Sequence, residues 1–183
     1  ESLLKAIKAK SVDTYRISLF SLHMGLRAGE IFNLTWADID QENGTLFIKD
    51  TKTGHNRHAY MTDRIRAEIK DMKKGQGNDL VFPPREYAKS KHMQLVSRTF
   101  NRCVNDLKLN EGIEDPRQKI VFHSMRHTFA SWLVQKGVSI YAVKELLGHQ
   151  TLTMTERYSH IAADHLRQAA AILDGQNNVI PFP

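Results

Sequence analysis

The chain has 183 residues, enough for one domain with a sizeable core, and its 26 Lys and Arg against 20 Asp and Glu give a formal net charge of +6. This excess of positive charge favours a polyanionic partner such as nucleic acid. The single cysteine, Cys103, excludes an intrachain disulfide and a cysteine-based zinc site, and no apolar run approaches the ~20 residues of a membrane span, so a soluble, cytoplasmic protein without membrane contact is expected.

The first part of the chain is predicted to be helical. Apolar residues recur at helical spacing over residues 1–10 and again in a second helix, which Asp13 is expected to cap and Gly25 to end. A short helix over residues 28–34 leads to Trp36, after which the pattern changes from helical to extended. Two consecutive helices and a short third are therefore expected before any strand.

A β-hairpin is predicted next, over residues 45–50 and 57–62. Its tip is formed by TKTG at 51–54, so Lys52 is expected at or near the tip. The basic residues near it are expected either to bind phosphate or to form a solvated charged face, and they are Lys49, His55, Arg57 and His58. Asp63 is expected to cap a further helix that runs to about residue 74.

The second half of the chain is predicted to be helical again, with helices over residues 93–109, 124–135, 139–147 and 162–173. The fold class is therefore mainly α with a small antiparallel β-sheet, in one domain that spans residues 1–174. The tail over residues 175–183 is apolar but contains two prolines, so it cannot extend the last helix. It is expected to be disordered alone or to dock on a neighbouring protomer.

Several dispersed residues suit displacement at a phosphodiester. Negative charge on the non-bridging oxygens calls for guanidinium groups, and Arg27 and Arg126 both lie where a helix is predicted to begin. Tyr158 would supply an oxygen nucleophile once cations stabilise its phenolate or a base takes its proton. Lys52 could protonate the departing sugar oxygen. Glu30, three residues after Arg27, is expected to hold that guanidinium in place.

The spacing of two histidines raises the question of a metal site. His123 and His127 are four residues apart, a spacing that can ligate zinc on a helix, but Ser124 occupies the place of the glutamate found in zinc metalloproteases. No metal site is therefore predicted. His127 is expected to pack or bond within its own helix, and His123 to lie at the start of that helix.

Five segments occur in one order: GLRAGEI at 25–31, TKTG at 51–54, HSMRH at 123–127, LLGH at 146–149 and TERYSH at 155–160. Together they resemble the signature set of the tyrosine recombinases, the phage integrase family. The resemblance covers about residues 11–160. It implies a mostly helical catalytic domain, with a small sheet that carries the lysine hairpin, and DNA cleavage and rejoining through a 3′-phosphotyrosyl intermediate.

The resemblance also implies a role for each matching residue. Arg27 and Arg126 correspond to the phosphate-binding arginines, and Lys52 to the general acid for the 5′ oxygen. His123 corresponds to the histidine that assists proton transfer from the nucleophile, His149 to a hydrogen-bond donor to the phosphate, and Tyr158 to the nucleophile. No metal, nucleotide or other cofactor is expected.

The expected partners follow from the same resemblance. They are double-stranded DNA and further copies of the chain, monomeric alone and tetrameric in a synapse on DNA, with accessory DNA-bending proteins as additional partners. A helical DNA-clamping domain precedes the catalytic domain in full members of the family and is not expected within these residues. Candidate DNA contacts are Arg98, Arg102 and Ser124, although a solvated face is an alternative for the two arginines.

Three other functions remain open from the sequence. Residues 135–158 also fit a helix-turn-helix, as in a DNA-binding regulator without catalytic activity. A type IB topoisomerase would use comparable phosphotyrosyl chemistry to relax supercoils. A metal-dependent nuclease would need clustered carboxylates, which the sequence does not offer.

Overall fold

The structure, a computed structural model, describes residues 1–49, 56–84, 93, 96 and 98–159. The described residues are mostly helical with one three-stranded antiparallel sheet, so the predicted fold class is confirmed. The helices are α1 Ser2–Lys10, α2 Val12–Met24, α3 Ala28–Phe32, α4 Asp63–Lys70, α5 Arg98–Asp106, α6 Ser124–Gln135, α7 Ile140–Leu147 and α8 Thr153–Glu156, and the strands are β1 Ile39–Asp40, β2 Thr45–Ile48 and β3 Arg57–Tyr60.

The first two helices match the predicted pattern except at their junction. Ser11, and not Asp13, caps α2, because its hydroxyl accepts the backbone N–H of Thr14 at 3.2 Å. Asp13 lies in the first turn, where its carboxylate interacts favourably with the positive end of the helix dipole. Gly25 ends α2 in the left-handed conformation, at φ 67°, as the sequence predicted.

The sheet has one more strand than predicted. The hairpin strands β2 and β3 pair from Thr45 with Tyr60 to Ile48 with Arg57. The added strand, β1, is only two residues long and pairs with the other edge of β2. Two residues are too few for an alternating pattern to be seen in a sequence, so β1 was missed. The hairpin tip, with Lys52, lies outside the described residues.

Two helices have boundaries that differ from the prediction. α4 ends at Lys70 rather than near residue 74, and its N-cap residue is Thr62 rather than Asp63. α5 begins at Arg98, whereas the described residues Met93 and Val96 are not helical, so the start predicted at residue 93 was too early. For α4, lysines that favour helices extended the apparent pattern past Ile69, the last buried residue of the helix. For α5, Met93 and Val96 extended the apolar pattern, because they pack against the core although they are not helical.

The C-terminal helices α6 and α7 agree with the prediction. α6 spans the predicted residues, and α7 begins after Ser139, whose hydroxyl accepts the Ala142 N–H, and ends at Gly148 in the left-handed conformation. The short helix α8 was not predicted. The helix predicted over 162–173 and the tail over 175–183 lie outside the described residues.

Buried apolar side chains form two clusters. The larger one joins α1–α5 and the sheet. The smaller one lies between α6, α7 and the segment after α8, and it contains Ala130, Val134, Val143, Leu147 and Tyr158. α6 packs along α2, so it connects the two clusters. Among the described residues, none of the helices combines the length and the apolar character needed to cross a lipid bilayer.

Candidate active site

A cleft of about 440 Å³ opens between the two clusters. We call it the arginine cleft, and its lining residues are Arg27, His123, Arg126, His127, His149, Thr153, Met154, Arg157 and Tyr158. Five of the six predicted catalytic residues are thus brought together from α3, α6 and the loops that flank α7 and α8. The sixth, Lys52, lies outside the described residues.

Arg126 is the most deeply buried cation of the cleft, with 2% of its surface exposed. Its Nη1 donates to the carbonyl of Gly25 at 2.5 Å and its Nη2 to the carbonyl of Leu147 at 2.6 Å. These carbonyls end α2 and α7, where the helix dipoles place partial negative charge. Burial, followed by repulsion from Arg27, lowers the pKa of Arg126 to about 9, so the side chain stays protonated at neutral pH.

Glu30 organises the arginines around the cleft. Its carboxylate accepts two hydrogen bonds from Arg57, at 2.7 and 3.0 Å, and two from Arg27, from the backbone N–H at 2.7 Å and from Nη1 at 3.1 Å. Arg126 Nη1 lies 3.9 Å away. Burial alone would raise the pKa of Glu30, but the hydrogen bonds and charge of Arg57, together with the Arg27 backbone hydrogen bond and the charge of Arg126, outweigh burial, and the pKa is lowered. Three guanidinium groups thus share one carboxylate.

Arg57 was named only among the basic residues near the hairpin tip that would bind phosphate or form a solvated face, because a basic residue in a strand usually points to solvent. Its side chain is only 11% exposed, and besides Glu30 its Nε donates to the carbonyl of Leu146 at 3.4 Å. It also packs over Gly148, where a Cβ would come within 2.8 Å of its Cδ. Arg57 therefore connects the hairpin strand β3 to the arginine cleft and to the end of α7.

His149 follows directly after α7. Gly148 takes φ 64°, a conformation that favours glycine, and turns the chain so that His149 faces the cleft. Its Nδ1 lies 2.8 Å from the hydroxyl of Thr155, a fully buried residue of α8. Burial, followed by repulsion from Arg126, lowers the pKa of His149 to about 4, so the imidazole is neutral at neutral pH.

Tyr158 lies with its ring in the smaller cluster and its hydroxyl in the cleft, and 6% of its surface is exposed. The hydroxyl is 2.5 Å from Nδ1 of His127. His127 does pack against His123 at the start of its own helix, as expected, but its bond to Tyr158 was not predicted. The four-residue spacing from His123 was the available signal, because residues i and i+4 share one helix face.

The two neighbouring histidines differ in their contacts. The ring of His123 packs edge-on against that of His127, with centroids 4.6 Å apart. Burial, followed by repulsion from His123, lowers the pKa of His127 to about 4. Burial also lowers the pKa of His123 and raises that of Tyr158. At neutral pH the cleft therefore holds neutral imidazoles, a protonated phenol and several guanidinium cations.

The predicted DNA contacts are not part of this cleft. Arg98 and Arg102 are exposed on α5, and neither lines the cleft. Ser124 begins α6, and its hydroxyl accepts the N–H of Val121 at 3.1 Å. In the described part of the chain, no three His, Cys, Asp or Glu side chains lie close enough together to hold a metal ion.

The composition of the cleft suits an anion whose oxygens can accept several hydrogen bonds. A guanidinium group can bind two phosphate oxygens through a pair of parallel hydrogen bonds. Glu30 neutralises only one of the three nearby arginine charges, so positive charge remains for an anion. The phenol of Tyr158, a side chain that can act as an oxygen nucleophile, lies in the same cleft. The arrangement is therefore suited to binding a phosphodiester and attacking it.

Comparison with known proteins agrees with this chemistry. The family model described as "Phage integrase family" matches residues 1–165. The chain is 28% identical over 180 residues to the tyrosine recombinase XerA of Pyrococcus furiosus, a match that covers 98% of the chain and 61% of that protein. It is 34% identical over 163 residues to the integrase of Salmonella phage P22, with 85% of the chain and 41% of that protein covered.

Solved structures show the same fold. The catalytic domain of bacteriophage HP1 integrase superimposes with a TM-score of 0.71 at 27% identity, and the match covers 97% of this chain and 93% of that one. An integrase of the transposon Tn1549, solved with circular intermediate DNA, gives a TM-score of 0.70 at 24% identity, covering 94% of this chain and 64% of that one. The chain thus spans about half the length of the curated relatives that it matches.

Proposed function

The chain belongs to the phage integrase family, and from this premise we propose that it is the catalytic domain, over residues 1–174, of a site-specific DNA recombinase. The observation that carries the proposal is the position of the Tyr158 hydroxyl in one cleft with Arg27, Arg126 and His149. The proposed substrate is double-stranded DNA, which the net charge of +6 also favours.

In the proposed reaction, the scissile phosphate binds in the arginine cleft. Arg27 and Arg126 donate to its non-bridging oxygens, whose charge grows in the transition state. His149 donates through its Nε2, because its Nδ1 already faces the Thr155 hydroxyl. Glu30 and Arg57 keep the two phosphate-binding guanidinium groups in place.

The phenolic oxygen of Tyr158 then forms a bond to phosphorus, and the bond from phosphorus to the 5′ oxygen breaks. Lys52 is proposed to protonate that leaving oxygen, and His123 to assist removal of the phenol's proton. The DNA is left joined to Tyr158 through its 3′ phosphate. Attack by a 5′ hydroxyl on this phosphotyrosine reverses the chemistry, so rejoining consumes no ATP.

Covalent capture tests the proposal. A pool of labelled duplexes with a randomised tract, each nicked so that cleavage releases a short fragment, is incubated with the chain and analysed on a denaturing gel. The wild-type chain should form a complex that resists denaturant, and Tyr158→Phe should form none while still shifting duplex DNA on a native gel. Equal capture by both proteins would overturn the assignment of the nucleophile.

A second substrate tests Lys52. Lys52→Ala should slow cleavage of ordinary DNA, whereas a duplex with sulfur in place of the bridging 5′ oxygen should be cleaved at nearly the wild-type rate, because a thiolate leaves without a proton. A variant that stays slow on the sulfur substrate would remove Lys52 from the acid role.

The alternative functions are supported less well. As a regulator's recognition helix, α8 would have to enter a DNA groove, yet it is only four residues long and Tyr158 just beyond it is packed in the smaller cluster. A type IB topoisomerase would share the chemistry, but the relatives found are recombinases and integrases. Relaxation of a supercoiled plasmid without exchange between two sites would favour the topoisomerase.

The proposed assembly is a monomer in solution and four protomers around two DNA sites during exchange. It is supported by family membership, and accessory DNA-bending proteins and docking of residues 175–183 on a neighbouring protomer belong to the same proposal. The proposal also keeps Arg98, Arg102 and Ser124 as candidate DNA contacts. Light scattering of the chain with and without captured DNA would test the assembly.

A further inference from the structure

The Tyr158 hydroxyl lies against a histidine to which the sequence motifs assign no role. Nδ1 of His127 is 2.5 Å from the phenolic oxygen, the one hydrogen bond that this hydroxyl makes among the described residues. His123, by contrast, packs on the ring of His127. The side chain in position to receive the phenol's proton directly is therefore His127.

We propose that His127 is a catalytic residue: it accepts the proton of Tyr158 as the phenolic oxygen attacks phosphorus. This inference rests on the proposed function of Tyr158 as the nucleophile. When the new bond from oxygen to phosphorus forms, the phenol's proton moves to Nδ1 of His127. When the DNA is rejoined, the same proton returns from Nδ1 to the departing phenolic oxygen, so protons balance over the full cycle.

The protonation states in the free protein suit this direction of transfer. The pKa of His127 is lowered to about 4 by burial first and then by repulsion from His123, so its imidazole is neutral. The pKa of Tyr158 is raised by burial, so its hydroxyl carries a proton. A nearly buried hydroxyl proton needs an acceptor, and a neutral imidazole with its hydrogen on Nε2 offers Nδ1 as that acceptor.

The surrounding charges make the transfer depend on substrate. Arg126 and Arg157 both contribute to the low pKa of His127 by repulsion. A phosphate anion bound to these cations would offset that repulsion, raise the pKa of His127 and make it a better base. The nucleophile therefore stays protonated until the scissile phosphate is in place. His123 assists through its contact with His127, in agreement with its proposed role.

The test separates accepting a proton from holding the tyrosine. His127→Asn keeps an oxygen near the position of Nδ1 that can accept the phenol's hydrogen bond but cannot take its proton. His127→Ala removes both functions. His23→Asn is a matched control, because His23 is another half-buried histidine with a lowered pKa, and it contacts Thr62 and Trp132 away from the cleft.

First-turnover cleavage is measured on a nicked duplex taken from the captured pool. At neutral pH, His127→Asn and His127→Ala should both cleave about 100-fold or more slowly than wild type, the usual contribution of a general base, and His23→Asn should match wild type. The wild-type rate should level off once His127 is neutral. The rate of His127→Asn should instead keep rising about tenfold per pH unit toward the pKa of the phenol. The sulfur-containing substrate should not rescue either variant.

The outcomes are distinguishable. Cleavage by His127→Asn within about threefold of wild type, or a pH profile parallel to that of wild type, would overturn the role as proton acceptor, since only positioning would remain. Thermal unfolding and duplex binding of each variant separate a loss of chemistry from a loss of fold. Absence of covalent capture by the wild-type chain itself would overturn the recombinase proposal, independently of His127.

Discussion

Replacing Glu30 by glutamine tests whether one carboxylate organises the arginines. The substitution keeps the shape of the side chain and removes its charge. Glu30 is 8% exposed and accepts four hydrogen bonds, two from Arg57 and two from Arg27. An amide offers one acceptor oxygen and turns an NH₂ group toward donors, so about two of the four hydrogen bonds should be lost.

The magnitude follows from these contacts. Hydrogen bonds to charged groups contribute about 1.5–3 kcal/mol each, and the lower figure applies here because the Arg27 side chain is 34% exposed. Glu30→Gln should therefore lower the free energy of unfolding by about 3 kcal/mol. For a chain of this size, about 2–4 °C of Tm accompanies each kcal/mol, which gives a fall of about 6–12 °C.

The assay is thermal unfolding followed by circular dichroism, with Glu68→Gln as the control. Glu68 is similarly buried, at 13% exposed, but it accepts one guanidinium bond, from Arg16 at 3.1 Å, and lies away from the cleft. Loss of this hydrogen bond in Glu68→Gln should lower the free energy of unfolding by about 1 kcal/mol. Added phosphate should raise the Tm of Glu30→Gln more than that of wild type or of Glu68→Gln, because it can occupy the site of the missing negative charge.

The dependence on pH gives a second measurement. The pKa of Glu30 is lowered from its ordinary 4.5 in the folded chain, so its stabilisation is fully present above pH 4.5 and is lost as pH falls through the folded value. The difference in Tm between wild type and Glu30→Gln should therefore shrink in acid. A Tm within about 2 °C of wild type at pH 7, which corresponds to about 0.5–1 kcal/mol, would refute the organising role, and so would a difference that persists unchanged in acid.

Two further predictions concern residues at the same cleft, and a third concerns the helix cap of α2. Arg126→Ala should abolish cleavage and also lower the denaturant midpoint, because the guanidinium holds the carbonyl ends of α2 and α7; an unchanged midpoint would contradict this. Gly148→Ala should lower the free energy of unfolding by about 1–2 kcal/mol, because residue 148 has a positive φ. The added Cβ should also displace Arg57, so cleavage should be slower at a temperature where the variant is folded. Ser11→Ala should lower the free energy of unfolding by about 1 kcal/mol without altering cleavage, because it removes only a helix cap.

The sequence was most informative where local chemistry determines the structure. α6 and α7 were predicted because their apolar faces repeat at helical spacing and glycines follow each of them. Gly25 and Gly148 were correctly placed at helix ends because the left-handed conformation favours glycine. The end of α4 was missed because lysines continue a helical pattern although tertiary packing no longer supports it.

The candidate site was only partly predictable, for a related reason. Six motif residues could be named in advance from their side-chain chemistry and the family resemblance, and five of them line the cleft, whereas Lys52 lies outside the described residues. Arg57 and His127 were not recognised, because their importance comes from what they contact: Glu30 in one case and Tyr158 in the other. Contacts between residues 27 or 31 positions apart leave no pattern in a single sequence.

The burial of the Tyr158 ring bears on the subunit in which the proposed nucleophile would act. The aromatic side chain is part of the smaller cluster, between α6 and α7. A tyrosine buries about 150–250 Å² of surface, which corresponds to roughly 4–6 kcal/mol at 25 cal/mol per Å². A subunit that extended the segment carrying Tyr158 into a neighbouring active site would lose this packing and leave a cavity in its own cluster. Under the proposed function, attack within the same subunit is thus the thermodynamically preferred route, and exchange of nucleophiles between subunits would require an equally well-packed acceptor surface.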